Sequence, residues 1–153
     1  MNNITITISR DNAYNDILLK SHIDSAVIPD AAERYAVEAG TDKAEQIHQC
    51  ISDAFAGALQ LVRRFLASGS QAAATATAYD GTSDLQLPFY VSGRRAHYLT
   101  ETLAPSIHAY VVDMALSKYY SAVRPAFAVP YTQRLAGEAT AIETIIFAKQ
   151  PPE

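Results

Sequence analysis

The chain has almost no cysteine: Cys50 is the only one. No intramolecular disulfide can form, so folding does not require an oxidising compartment. No pattern that would mark a thiolate nucleophile surrounds Cys50, which reads as a small residue on a helix. Positive charge is also short, with 12 Lys and Arg against 16 Asp and Glu and a formal charge of −4. That balance argues against a general nucleic-acid binder, because neutralising phosphates needs a surplus of Lys and Arg on one face. Long apolar runs are missing. No stretch approaches the roughly 18 residues of a membrane span, and Met1 to Ile6 shows neither a basic n-region nor an apolar h-region. A soluble cytosolic protein without a membrane partner is expected. Gly-x-Ser-x-Gly, Gly-x-Gly-x-x-Gly and Walker loops are absent too, so no catalytic residue, cofactor-binding residue or metal ligand is assigned. There is no internal repeat, low-complexity tract or linker, and residues 1–153 read as a single domain large enough to bury a core.

What the chain does have is apolar residues, 49% of the total, set out in helical stripes. The longest uninterrupted pattern covers residues 42–67. There Ile47, Ile51, Ala54, Ala58, Leu61 and Phe65 recur at alternating spacings of four and three. Phe55, Leu59, Val62 and Leu66 repeat that spacing one position on, so the buried face is wide enough to need neighbours on two sides. Gln46, Gln49, Asp53, Gln60, Arg63 and Arg64 hold the polar face, and the two arginines complement the negative end of the helix dipole. Asp42 with Glu45 reads as a capping box that opens this helix, with Thr41 as the alternative cap.

Upstream, Ile4, Ile6 and Ile8 alternate with Thr5 and Thr7 as one short strand needs. A weak helical pattern over 12–28 puts Tyr14, Ile17, Leu18 and Val27 on one side, and Pro29 ends it. Asp30 is placed to cap a short helix, and Gly40 to close it in a left-handed conformation. Downstream, Ser68-Gly69-Ser70 breaks the long helix. Thr75, Thr77 and Tyr79, the turn pair Asp80-Gly81, and then Leu85, Leu87, Phe89 and Val91 read as a β-hairpin over 73–91. Its first strand is poor in large apolar residues, which suggests an arm, and Pro88 fits an edge. A short helix over 94–103 is interrupted at Ala104-Pro105. A largely buried helix over 105–123 follows, with Ile107, Tyr110, Val111, Met114, Leu116, Tyr119 and Tyr120 around it. Arg124-Pro125 ends that helix. Pro130 starts a last one with Tyr131, Leu135, Ala139, Ile142 and Ile145 inward. The expected fold is mainly α: a helical bundle around one long central helix, with a β-hairpin arm and a short N-terminal strand.

Few residues invite a chemical reading. Glu45-x-x-His48 has the spacing of a di-iron half-site, but such a site needs a second copy and more carboxylates, so the pair reads as solvated. His97 and Glu101, one turn apart, could clip a metal or form a surface pair. Asp113 lies among buried residues and calls for a Tyr, Arg or Lys partner. Arg94 and Arg95 stand where the dipole disfavours positive charge. Asp84, Glu101, an acidic surface on another subunit or simple solvation would compensate them.

The order of these elements resembles the small head–tail connector proteins of tailed phages and prophages, the Mu-like and related families. The resemblance rests on the long helix from Ile47 to Leu66, the hairpin over 73–91, the Pro-led helix from Ala104-Pro105 through Ala115-Leu116-Ser117-Lys118-Tyr119-Tyr120, and the final Tyr131, Leu135, Ile142 pattern. It implies a structural role without catalysis or cofactor, in the host cytoplasm and the virion. Copies would self-associate into a ring at the portal vertex, touching portal and tail-completion proteins, while DNA passes through the channel without specific binding. A net negative charge suits such a channel. The assembly candidates are Arg63, Arg64, Thr75, Thr77, Tyr79, Asp80, Gly81, Arg94 and Arg95. Two other readings stand beside it: a small helical adaptor that recognises partners through the hairpin edge, and a helical metalloenzyme using Glu45, His48, His97 and Asp113.

Overall fold

In the computed structural model, which describes residues 2–66 and 83–147 apart from the side chains of residues 2, 3 and 64, the alternating isoleucines form strand β1, Asn2–Ile8. Its partner is strand β2, Leu85–Val91, in antiparallel register with Ile4 opposite Phe89, Ile6 opposite Leu87 and Ile8 opposite Leu85. Period-two alternation puts one side chain set on one face. Here Ile6, Ile8, Leu85, Leu87 and Phe89 are all buried. The half of the expected hairpin over 85–91 is therefore part of the core, held by the N-terminal strand. Thr75, Thr77, Tyr79 and the Asp80-Gly81 turn lie outside the described residues. Pro88 stands opposite Thr5 in a sheet that has two strands among the described residues.

Helix α1, Arg10–Ser25, is capped by Ser9, whose hydroxyl accepts from the Asn12 N–H at 3.2 Å. Asp30 caps helix α2, Ala31–Val37, through the Ala32 N–H as its position predicts. Gly40, by contrast, is extended at φ −133°, not left-handed. The end of α2 is closed instead by the Lys43 ammonium, which donates to the carbonyls of Tyr35, Ala36 and Glu38 at 2.8, 2.9 and 2.6 Å.

A 3₁₀ turn at Thr41–Lys43 leads into helix α3, Ala44–Val62, and a second at Arg63–Phe65 ends it. The capping box does not form: no side chain caps the start of α3, and Asp42 accepts from the Tyr35 hydroxyl at 3.3 Å. Both predicted stripes are inside, with Ile47, Ile51, Ala54 and Ala58 buried beside Phe55, Leu59 and Val62. Their neighbours are α1 and the helix after β2. Gly57 faces that helix closely, since a Cβ there would lie 2.7 Å from Met114 Sδ.

The helix after β2, α4, runs unbroken from Gly93 to Val123, 31 residues. It is the longest described helix and packs against α1, α2, α3, β1 and the last helix, so it holds the central position that the stripes on α3 suggested for residues 42–67. The expected interruption at Pro105 is absent. Proline removes the bond to the carbonyl four residues back, here that of Glu101, and both residues face solvent, where water can serve that carbonyl. Leu103 and Ile107 on the opposite side are fully buried, and their packing holds the helix through the proline. A single residue, Arg124, then separates α4 from helix α5, Pro125–Phe147. This last helix begins five residues before the expected Pro130, with Pro125 in its first turn. The two helices run antiparallel, with the Tyr120 ring 5.5 Å from Phe127 and 5.7 Å from Tyr131, and the Ser117 and Thr132 hydroxyls 2.6 Å apart.

Proline costs about 3 kcal/mol against alanine inside a helix, and the Pro105 ring is exposed. Pro105→Ala should therefore raise unfolding stability by about 1–3 kcal/mol in urea titration. A loss of stability would mean that the ring contributes packing its exposure does not suggest.

Candidate functional site

Two polar clusters lie inside this apolar frame. The first surrounds Arg10, the opening residue of α1, which is only 2% exposed. Its guanidinium donates to the Ser83 carbonyl (2.8 Å), the His48 carbonyl (3.1 Å) and Ser52 Oγ (2.8 Å), and sits 5.1 Å from the Phe55 ring centre. Its backbone N–H donates to Asp84 Oδ1 at 2.9 Å. One side chain thus ties α1, α3 and the approach to β2 together. His48 is drawn into this cluster and does not form the solvated pair with Glu45 that its spacing suggested. Its ring stacks on Tyr14 at 4.7 Å and 2°. Burial, reinforced by the Arg10 charge, lowers its pKa below the ordinary 6.5, so the ring is neutral at physiological pH.

The second cluster joins α1, α4 and α5. Asp113, 4% exposed, receives Lys20 Nζ at 3.5 Å, the kind of partner its burial demanded. Glu138 comes from α5, and its Oε1 is buried without a hydrogen-bond partner. Burial first, then the hydrogen bond and charge of Asp113, push the Glu138 pKa up to about 7, against the pull of Lys20 and Arg134. Two carboxylates cannot bond each other, so a proton held by Glu138 completes the pair. Nearby, Asp24 Oδ2 accepts from the Tyr120 hydroxyl at 2.8 Å and from the Tyr131 hydroxyl. Burial, with Asp24 adding to it, raises both tyrosine pKa values far above the ordinary 10, so both hydroxyls stay protonated donors.

A cavity of about 250 Å³ opens beside Asp24, lined also by Ala126, Phe127, Pro130, Tyr131 and Arg134. The Arg134 guanidinium lies 5.1 Å from the Tyr131 ring centre. Leu19, Ile23 and Val27 follow one another four apart and are 58%, 60% and 76% exposed. Val27 is therefore outside, against the sequence pattern that placed it with Ile17 and Leu18. Val129, next to the cavity residue Pro130, is 51% exposed.

The other sequence candidates scatter. Arg63 is exposed at the end of α3 and lines a shallow groove with Gln60, Leu61 and Glu143. The Arg64 side chain lies outside the described residues. Arg94 is exposed and Arg95 half-buried in the first turn of α4, where the Ser92 hydroxyl accepts from the Arg95 N–H at 3.4 Å. Asp84 is engaged by Arg10. His97 and Glu101 form a surface pair at 3.2 Å. Among the described residues, no group of three or more His, Cys, Asp or Glu is placed to hold a metal, and no helix is long and apolar enough to cross a membrane. Sequence reasoning missed Arg10, Asp24, Arg134 and Glu138, which are ordinary charged residues until folding brings their partners near. The four-residue spacing of Leu19, Ile23 and Val27 was a usable signal. The chain matches no protein-family model, no curated protein and no solved structure.

Glu138 provides a pH test. Its folded pKa, about 7, lies above the ordinary 4.5, so between those values the folded chain holds a proton that the unfolded chain has released. Stability from this group is fully present below the lower value and falls as pH rises through the upper one. Glu138→Gln should flatten that fall, so the variant gains a few degrees of Tm over wild type between about pH 5 and about pH 8. Parallel Tm profiles would show that Glu138 ionises freely in the folded state. Arg10→Met should cost about 3 kcal/mol in chemical denaturation, because the Ser83 and His48 carbonyls lose their donor. A cost below about 1 kcal/mol would mean that water replaces the guanidinium.

Proposed function

We propose that this protein acts by assembly: copies join into a closed ring and serve as a head–tail connector at the portal vertex of a tailed phage or prophage. The observation that carries the reading is a set of large apolar side chains left in solvent: Leu19 and Ile23 on one side of α1 and Val27 just past its end, each at least 58% exposed. Apolar residues scattered singly on a surface are ordinary, whereas neighbours one turn apart on the solvent side of a helix, as Leu19 and Ile23 are, mark an interaction face. The order of long helix, strand segment and Pro-bearing helices adds the pattern-level resemblance to connectors. A ring requires two different faces on each subunit, and the start of α4, with Arg94 and Arg95, is a second candidate. The negative net charge favours passage of DNA without adhesion.

Purified protein mixed with portal-bearing heads should sediment with them, and Ile23→Asp should abolish that without lowering Tm, since Ile23 is 60% exposed. Heads that take up no protein would overturn the connector reading. Charge reversal at Arg94 and Arg95 should weaken assembly more than folding. Oligomer mass unchanged by light scattering, with Tm unchanged, would remove the two arginines from the interface.

A further inference from the structure

We propose that the contact between copies is heterologous: the C-terminal end of α5, carrying Glu143 and Phe147, seats on the cavity between α1 and α5 of the next copy. This rests on the assembly reading above and specifies its interface. The cavity, about 250 Å³, is smaller than the roughly 300–1,000 Å³ that holds a drug-sized ligand, and suits one large side chain. Its walls offer Ala126, Phe127, Pro130 and the Tyr131 ring to an apolar group. Arg134 adds a directional element. Among the described residues the guanidinium stacks on Tyr131 and has no hydrogen-bond or ion-pair acceptor, and its planar fork matches an incoming carboxylate.

The far end of the same helix carries the complement. Phe147 is 62% exposed although Phe65 supports it edge-on, ring centres 4.9 Å apart. Glu143 lies one turn earlier on the same helix side and lines the adjoining surface with Thr140, Thr144 and Phe147. Its carboxylate has neither a hydrogen bond nor an ion pair among the described residues, although Arg63 lines a groove with it. An apolar knob with a carboxylate one turn away thus matches a largely apolar hole with a guanidinium at its wall, where the one carboxylate of the lining, Asp24, already accepts from the Tyr120 and Tyr131 hydroxyls. The knob cannot reach its own hole. Pro130 and Phe147 belong to one helix, and 17 residues at about 1.5 Å each place them about 25 Å apart. The contact is therefore between molecules, joins two different surfaces and repeats head to tail, which gives a ring where the rotation per copy closes and a filament where it does not.

The test uses the full chain with two kinds of variant: Phe147→Asp removes the knob, and Arg134→Glu spoils the hole. If Arg134→Glu lowers Tm, Ala126→Asp blocks the same cavity from an exposed residue of its wall. Assembly is read by sedimentation, or on portal-bearing heads where the free protein stays monomeric. Each variant alone should assemble at least about tenfold more weakly than wild type. Mixed, they should form a one-to-one dimer and stop, because only one intact knob and one intact hole remain. Arg134→Glu combined with Glu143→Arg in one chain should recover assembly lost by Arg134→Glu. Wild-type assembly that both variants retain would overturn this interface and leave the assembly reading standing, as would two deficient variants that fail to pair. Wild type that assembles neither in solution nor on heads would overturn both.

Discussion

From Tyr110 to Tyr120, α4 is apolar around most of its circumference: Tyr110, Val111, Val112, Ala115, Leu116, Tyr119 and Tyr120 are all buried. A helix apolar around most of its circumference needs neighbours on most sides. The rest of the molecule meets that demand, with α3 and α5 along its length, α1 and β1 over another side, and α2 at one end. Burying side chains of this size contributes roughly 1.5–3 kcal/mol each, so the central helix tolerates an internal proline and the chain reverses through Arg124 alone. The two-stranded sheet, which would be marginal by itself, gains its stability from the buried face of Ile6, Ile8, Leu85, Leu87 and Phe89.

The buried polar groups fit into this frame by sharing partners. Arg10 satisfies its donors mostly on backbone carbonyls and a serine hydroxyl, and it fixes where the chain enters β2. Asp113 is carried by Lys20 from α1, and Glu138 from α5 shares its site with a pKa pushed up to about 7, so three helices meet at this cluster. Asp24 does the same for two tyrosine hydroxyls. Buried polar groups left unpaired are costly. Each cluster therefore favours one arrangement of its helices over sliding alternatives.

The outside of α1 and the two ends of α5 are less complete. Leu19, Ile23, Val27, Val129 and Phe147 are large, apolar and more than half exposed. Arg134 and Glu143 carry opposite charges with no ion-pair partner among the described residues. Interior packing explains none of these. Val129 and Arg134 stand toward one end of α5, Glu143 and Phe147 at the other.

Local pattern determined much of this protein. The alternating isoleucines give β1, Asp30 caps α2, the double stripe of α3 is buried as spaced, and the tyrosine-rich helix is buried as composed. These features depend on neighbours a few residues away, and periodicity records them directly. Gly40 and the Asp42–Glu45 pair are local signals that lost, because Lys43 closes α2 and Tyr35 takes Asp42. The tertiary structure alone decided that β1 pairs with residues 85–91, that Pro105 stays inside a continuous helix, and that α4 is central. It also decided that Arg10, Asp24, Asp113 and Glu138 find their partners across helices. The candidate site was legible only as the spacing of Leu19, Ile23 and Val27. A side chain's periodicity states which way it points, while its burial and its pKa depend on groups tens of residues away that packing brings against it.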